Sequence, residues 1–272
     1  MGLMYEFGSI GGGNMAEGIV AAVVGRGLYP PGRVIVSDPL PERRRLFAEK
    51  FGTAVTEDNR QLVSEARRAM IAVKPQNFAE VAAGFADAVR GEQLLISILA
   101  GMSTRRISEA FGGVRVRVVR VMPNLPIRVG AGMAGVYPGE YATAEDLAET
   151  RAIFDAGGST VVVGEEGLLD AVTAVSGSGP AYFYYFVEAM VAGGVACGLT
   201  EAEALKLAEQ TCLGAARMML ETGEPPAELR RKVCSKGGTT QKAIDWMNEK
   251  GVGAAIAEAA QASFRRAREL GQ

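Results

Sequence analysis

An apolar segment from Met4 to Ile10 runs directly into Gly11-Gly12-Gly13-Asn14-Met15-Ala16, and a helical pattern follows from Glu17 to Leu28. No other stretch narrows the possible folds as much. A strand that meets a G-x-G-x-x-A turn and then opens a helix implies a sheet with that helix packed against it. Gly11 permits the tight turn, Gly13 leaves the backbone bare where a pyrophosphate would approach, and Ala16 is small enough for the helix to lie on the strand. The helix start then offers free N–H groups and the positive end of its dipole to phosphate oxygens. After a strand and before a helix, the motif reads as a dinucleotide site rather than a merely structural turn. Its binding residues would be Ile10, Gly11, Gly12, Gly13, Asn14 and Met15.

The rest of the first half continues in the same alternation. Strands are expected at residues 6–10, 33–37, 69–73, 94–99, 115–121, 131–137 and 160–163, with helices at 15–25, 41–51, 78–89, 104–111 and 144–155. Several strands are near-continuous apolar runs, as in a sheet buried on both faces. Alternating β and α argues for an α/β fold, a doubly wound parallel sheet with helices on both sides. After Gly164 the β signal stops, and from Leu168 onward everything reads as helix or helix-linking loop. Two domains are therefore expected, 1–164 and 165–272. Thr200-Glu201-Ala202-Glu203 is a capping box opening a long helix that ends near Gly223, and Pro225-Pro226 starts the next. The segment 181–195 is apolar nearly all round, which suits a helix buried on every side. It is either the central helix of one subunit or, as favoured for so small a bundle, the shared element of an intertwined homodimer.

Composition removes whole classes of chemistry. The 272 residues are 48% hydrophobic and 22% charged with a net charge of −2, a globular balance with no basic surplus for nucleic acid. The short run Arg43-Arg44-Arg45 reads by default as a solvated helix face. No stretch approaches the roughly 20 apolar residues of a membrane helix, and the N-terminus lacks the pattern of a secretory signal. The three cysteines, Cys197, Cys212 and Cys234, are scattered and odd in number. They are expected to be buried thiols of a reducing, cytoplasmic compartment. There is no histidine at all, which excludes a His-Asp relay and leaves no obvious metal site. Chemistry must rest on hydroxyls, backbone amides, Lys, Tyr, carboxylates or a cofactor.

In a doubly wound sheet, ligands lie beyond the carboxyl ends of the strands. Ala72-Val73-Lys74-Pro75, the segment from Ser97 through Leu99, Ala100 and Gly101, and Met122-Pro123-Asn124-Leu125-Pro126 end three of the expected strands there. Lys74 reads first as a solvated strand-end lysine. Gly101 would let backbone approach a flat ring. Two further clusters, Ser176-Gly177-Ser178-Gly179-Pro180 and Gly237-Gly238-Thr239-Thr240, place small residues and free amides before helices, where a carboxylate or phosphate can be held. The alternative for each is an ordinary helix–helix turn with a Ser/Thr cap.

Taken in order, Gly11 to Ala16, Ala72 to Pro75, Met122 to Pro126, Ser176 to Tyr182 and Ser235-x-Gly237-Gly238-Thr239-Thr240 closely resemble the pyrroline-5-carboxylate reductase family. The resemblance spreads over nearly the whole chain, and its last two motifs are far more specific than the glycine turn. It implies an N-terminal Rossmann-type domain and a C-terminal all-helical dimerisation domain that interlocks two subunits. Family members often assemble dimers into decamers, which no residue pattern here signals. The implied reaction is hydride transfer from a reduced nicotinamide to C5 of the cyclic imine 1-pyrroline-5-carboxylate, giving L-proline. Ser178, Ser235, Gly237, Gly238, Thr239 and Thr240 would bind the substrate, with the Thr240 hydroxyl facing the ring nitrogen as the catalytic group. Ala72, Val73, Lys74, Pro75, Leu99, Ala100 and Gly101 would flank the nicotinamide and its ribose. One position departs from the family: Lys236 stands where Ser-Pro-Gly-Gly has proline, freeing the loop and adding a positive charge.

The cofactor's identity is contested within the sequence. Asp38 lies about 20 residues past the glycine turn, where an acid binds ribose hydroxyls and favours NAD. Ser37 and Asn59 match positions where the family holds the NADP 2′-phosphate, and the arginine run follows; NADPH is preferred, with NADH as the alternative. A β-hydroxy-acid dehydrogenase, which shares the two-domain plan, would carry a lysine on the helix from Ala181 to Glu188, and none is there. A dinucleotide-binding regulator would have no need of the Gly237–Thr240 loop.

Overall fold

The computed structural model describes residues 4–91, 93–112 and 115–271. Its first half alternates β1 (Phe7–Ile10), α1 (Asn14–Gly25), β2 (Val34–Ser37), α2 (Pro41–Phe51), β3 (Ala54–Thr56), α3 (Asn59–Glu65), β4 (Arg68–Ile71), α4 (Phe78–Ala83), β5 (Leu94–Ser97), α5 (Thr104–Glu109) and β6 (Arg117–Pro123). Then come β7 (Gly132–Pro138), α6 (Ala144–Asp155), β8 (Gly158–Val162) and α7 (Leu168–Val172). The strands form one sheet in the order β3-β2-β1-β4-β5-β6-β7-β8. All neighbours are parallel except β6 and β7, which pair antiparallel with Val121 opposite Val136. The order reverses at β1, so the carboxyl ends of β1 and β4 border the crevice where such sheets bind ligands.

Strand pleating explains the two-sided core. Phe7, Val34, Val36, Leu94 and Ile96 face α1, α2 and α6 and pack with Ile19, Val20, Phe47 and Phe154. Ile10, Ile35 and Leu95 point the other way, into α3, α4 and α5, with Leu62, Phe78, Phe85 and Ile107. Successive residues alternate faces, so a strand buried on both sides has no polar positions to spare. Each fully buried Phe, Ile or Leu contributes roughly 1.5–3 kcal/mol by leaving water.

Several details of the first unit differ from the sequence reading. β3 and α3 were not expected. Gly84 ends α4 early, and a single 3₁₀ turn (Ala86–Ala88) replaces the rest of the expected helix. The arginine run is not a uniformly solvated face: Arg43 and Arg44 are half-buried, because they bond to the glycine turn and to strand-end carbonyls. By packing, the first compact unit runs on through Ser178 and also takes in Ser263 onward, the second being Gly179–Ala262. The physical reason is that α7 packs on the sheet. Leu169 is fully buried, and Val172 methyls come within 2.7 Å of where a Cβ on Gly135 would stand.

The second unit comprises α8 (Gly179–Ala196), α9 (Glu201–Thr222), α10 (Pro226–Val233), α11 (Thr239–Glu249) and most of α12 (Val252–Gly271). The Thr200–Glu203 capping box forms as expected, and Gly223 closes α9 in the left-handed conformation. In the single chain α8 is not a buried central helix: Phe183, Tyr184 and Tyr185 are 60%, 60% and 75% exposed. The cysteines are not buried thiols either, since Cys197 is exposed and the other two are half-buried. The unit's helices carry an apolar surface, including Leu207, Leu220 and Trp246, that no described residue of the chain covers, as the expectation of a helix shared between two subunits requires. Among the described residues, no helix is long and apolar enough to cross a membrane.

Candidate active site

The glycine turn is held by the strands around it. Gly11 has φ +98° and donates its N–H to the Ser37 carbonyl at 2.8 Å. A Cβ there would stand 2.7 Å from the Ala72 carbonyl oxygen, so both backbone conformation and space demand glycine. Gly12 donates its N–H to Asp38 Oδ2 at 2.8 Å, and Arg43 Nε donates to the Gly12 carbonyl at 2.6 Å. Gly13 differs: a Cβ built on it meets nothing within 4 Å. It is the N-cap of α1, with no side chain closing the helix start. Bare amides facing open space at a helix N-terminus suit a pyrophosphate, so the residues present fit a dinucleotide.

Glu17 braces this turn from the first turn of α1. It is 6% exposed and accepts from Arg43 Nη2 at 3.1 Å and Lys50 Nζ at 3.0 Å, with Arg128 at 3.8 Å. Burial pushes its carboxyl up, but the hydrogen bonds from Lys50 and Arg43 outweigh that and hold it below the usual carboxylate range. Sequence reasoning missed the Glu17–Arg43 brace. The available signal was an acid set within an otherwise apolar stripe of α1.

The remaining expected residues of the first unit lie along the same edge. Ala72 N–H bonds the Ile10 carbonyl at 2.8 Å and carries the ladder past β4 before Pro75 turns the chain. Lys74 is exposed, as its solvated reading requires. Ser37 is fully buried and its hydroxyl donates a hydrogen bond to Asn59 Oδ1 at 2.6 Å. Gly101 has φ +71°, and the backbone that approaches it is the chain's own: a Cβ would stand 3.0 Å from the Leu270 carbonyl oxygen. Arg106 Nη1 donates to the Gly271 carbonyl at 3.2 Å beside it.

The cluster Ser176 to Gly179 is not a nest of free amides. Thr173–Gly177 forms a π turn, and Ser178 N–H is spent on the Thr173 carbonyl at 2.8 Å. Pro180 has no N–H to return to the Ser176 carbonyl. Asn124, just past β6, supplies that bond through Nδ2 at 3.1 Å, while its Oδ1 accepts Met133 N–H at 2.8 Å. The Ser178 hydroxyl pairs with Ser263 Oγ at 3.0 Å.

Ser235 to Thr240 belong to the second unit. There Gly238 N–H closes a turn on the Ser235 carbonyl at 3.0 Å, with Gly237 at φ +73° in the third position. Ser235 Oγ lies 2.4 Å from where a Cβ on Gly238 would stand, so the serine side chain tucks under the turn. Gly238 is the N-cap of α11 and no side chain caps it. Thr240 is therefore not the cap, and its hydroxyl lies in a first turn whose amides are open to an anion. Lys236 is exposed at the second position of the turn.

Comparison with known proteins agrees with both halves. A family described as pyrroline-5-carboxylate reductase dimerisation matches residues 166–270, and one described as NADP oxidoreductase, coenzyme F420-dependent, matches residues 6–101. The chain is 42% identical to the pyrroline-5-carboxylate reductase of Synechocystis sp., covering 99% of this chain and 100% of that one. A solved pyrroline-5-carboxylate reductase from Coxiella burnetii superposes with a TM-score of 0.93 at 36% identity, covering 99% of both chains. One from Plasmodium falciparum, solved with NADP bound, shares the fold with a TM-score of 0.87 at 24% identity over 100% of both. Identity of this degree along the full length, with the glycine turn and the Gly237–Thr240 loop both intact, means that the chain belongs to the pyrroline-5-carboxylate reductase family.

Proposed function

We propose that this chain reduces 1-pyrroline-5-carboxylate to L-proline with NAD(P)H, the last step of proline biosynthesis, in the cytoplasm. The observation that carries the reading is the uncapped start of α11, where Gly237, Gly238 and the Thr240 hydroxyl come together in a chain without histidine. When bound, the reduced nicotinamide supplies the hydride. The protein's part is position and charge. The turn Gly11–Gly13 and the first amides of α1 hold the pyrophosphate, and Ala72–Pro75 with Leu99–Gly101 flank the nicotinamide end. The open amides of α11 and the Ser235 turn hold the substrate carboxylate. Thr240 Oγ1 hydrogen-bonds the ring nitrogen. A protonated cyclic imine is already electrophilic at C5, so hydride addition there and retention of the proton on nitrogen need no strong acid. That suits a threonine and an open helix start.

The active form is a homodimer built on the apolar face of α8, whose Phe183, Tyr184 and Tyr185 would be buried by a second copy. Thr240→Ala tests the chemistry. Turnover of the imine falls strongly while the dissociation constant of the reduced cofactor stays the same. Unchanged kinetics in the variant would remove Thr240 from the mechanism.

A further inference from the structure

The end of α12 returns to the loop that follows β5. The first compact unit takes in Ser263 onward together with the sheet, and two polar contacts hold this last part of the helix. Ser263 Oγ lies 3.0 Å from Ser178 Oγ, just past the π turn. Arg106 Nη1, on α5, donates to the Gly271 carbonyl at 3.2 Å. The helix end then meets Gly101 backbone against backbone. A Cβ on Gly101 would stand 3.0 Å from the Leu270 carbonyl oxygen and from Gly271 Cα, and one on Gly271 would stand 3.0 Å from the Gly101 carbonyl oxygen. A glycine on each side is what permits so close an approach.

Hydrogen bonds fix the loop at its two ends. On the β5 side, Leu99 N–H reaches Ser97 Oγ at 3.3 Å. On the α5 side, Thr104 donates its N–H to Glu166 Oε1 at 2.7 Å and its hydroxyl to Glu166 Oε2 at 3.1 Å, and Arg120 Nη1 holds the same carboxylate at 3.3 Å. Among the described residues, no hydrogen bond fixes the backbone of Ala100 or Gly101 between these points. What locates that stretch is the end of α12 packed against it. Close-packed atoms transmit a displacement rather than absorb it, so a shift of the helix end is a shift of the loop.

We propose that the last turn of α12 is a backstop for the loop Leu99–Gly101 and sets where the nicotinamide ring can sit, with Gly271 and Arg106 as positioning residues. The proposal rests on the reading of Leu99–Gly101 as a flank of the nicotinamide. It goes beyond that reading by giving the C-terminal helix a part in aligning the cofactor.

Ligands of two lengths separate alignment from folding. ADP-ribose and its 2′-phosphate end before the nicotinamide, whereas NADH and NADPH include it. Dissociation constants for all four are measured by titration calorimetry on the full chain, for the parent, Gly271→Ala, Gly271→Val and Arg106→Ala. The Gly271 variants press a methyl or isopropyl group on the Gly101 carbonyl, while Arg106→Ala removes a tie and adds nothing. Each variant should bind the reduced dinucleotides about three- to tenfold more weakly, the scale of one lost hydrogen bond, and bind the two fragments as the parent does. Arg106→Lys, whose ammonium can reach the same carbonyl, should recover part of the loss. If Gly271→Val fails to fold, Gly271→Ala and Arg106→Ala carry the comparison. Equal weakening of fragments and dinucleotides would make the contact a structural one only and overturn the proposal, as would affinities that no variant changes. Selective weakening of the dinucleotides in a protein that does not turn over the imine would count against the proposed reaction and leave the role of the helix end standing.

Discussion

Gly11 and Gly13 are two residues apart, yet the structure assigns them opposite sensitivities, and Gly13→Ala exposes the difference. A methyl at Gly13 meets no protein atom within 4 Å, and its φ of −69° is one any residue adopts. Replacing a glycine where the backbone is compatible stabilises by about 0.4–1 kcal/mol through the unfolded chain. Alanine is a poorer N-cap than glycine by up to about 1 kcal/mol. The two offset, so the melting temperature of the cofactor-free protein should move by no more than about 2–4 °C. The methyl instead occupies the space the pyrophosphate needs. Losing one hydrogen bond to a charged group costs about 1.5–3 kcal/mol, which is roughly a 10- to 150-fold rise in the dissociation constant. Gly11→Ala goes the other way. With φ +98° and a carbonyl oxygen 2.7 Å from the new methyl, it should lose stability outright, by about 1–3 kcal/mol from the backbone alone. Thermal melts without cofactor, paired with fluorescence titration of NADH and NADPH, read both effects. If Gly13→Ala unfolds the protein, or binds cofactor as the parent does, the placement of the pyrophosphate at this turn is wrong.

Three other expectations follow from single contacts. Asn124→Ala leaves the Ser176 carbonyl and Met133 N–H without partners, at about 1–3 kcal/mol each, so the melting temperature should fall by about 5–15 °C; a fall under about 2 °C would show that neither bond matters. Lys236→Pro restores the residue preferred before a positive-φ glycine in a turn of this kind and should raise the melting temperature by about 1–4 °C, while loss of the exposed charge raises KM for the imine roughly two- to fivefold. A lowered melting temperature would refute the turn assignment. Because the Glu17 carboxyl is held below its ordinary 4.5 in the folded chain, its ion pairs stabilise fully above that value and are lost as pH falls through the lowered folded value. Glu17→Gln should therefore melt lower than the parent at pH 7 and converge with it in acid; a constant gap between the two from pH 7 to pH 3 would contradict this.

How legible the molecule was depends on how local each signal is. The β1 turn and α1 could be read from glycine spacing because every constraint there lies within a few residues, and the capping box at Thr200 was readable for the same reason. β3 is three residues and α3 seven, too short for a period of 2 or 3.6 to show. The π turn at Thr173–Gly177 looked like a phosphate nest because serine and glycine favour both. What separates the two is the Asn124 amide, 52 residues away in the chain. The arginine run looked solvated because the partner of Arg43, Glu17, is 26 residues back. Exposure of α8 could be anticipated, since an all-apolar helix in so small a bundle needs a second copy to cover it.

The central claim is met most directly by mixing the protein with 1-pyrroline-5-carboxylate and following loss of reduced nicotinamide absorbance, with NADH and NADPH in parallel. Cofactor oxidation that depends on the imine and yields L-proline is the predicted result. Tight binding of either cofactor with no oxidation in the presence of the imine would contradict it, and would leave a dinucleotide-binding regulator that keeps the fold without the reaction.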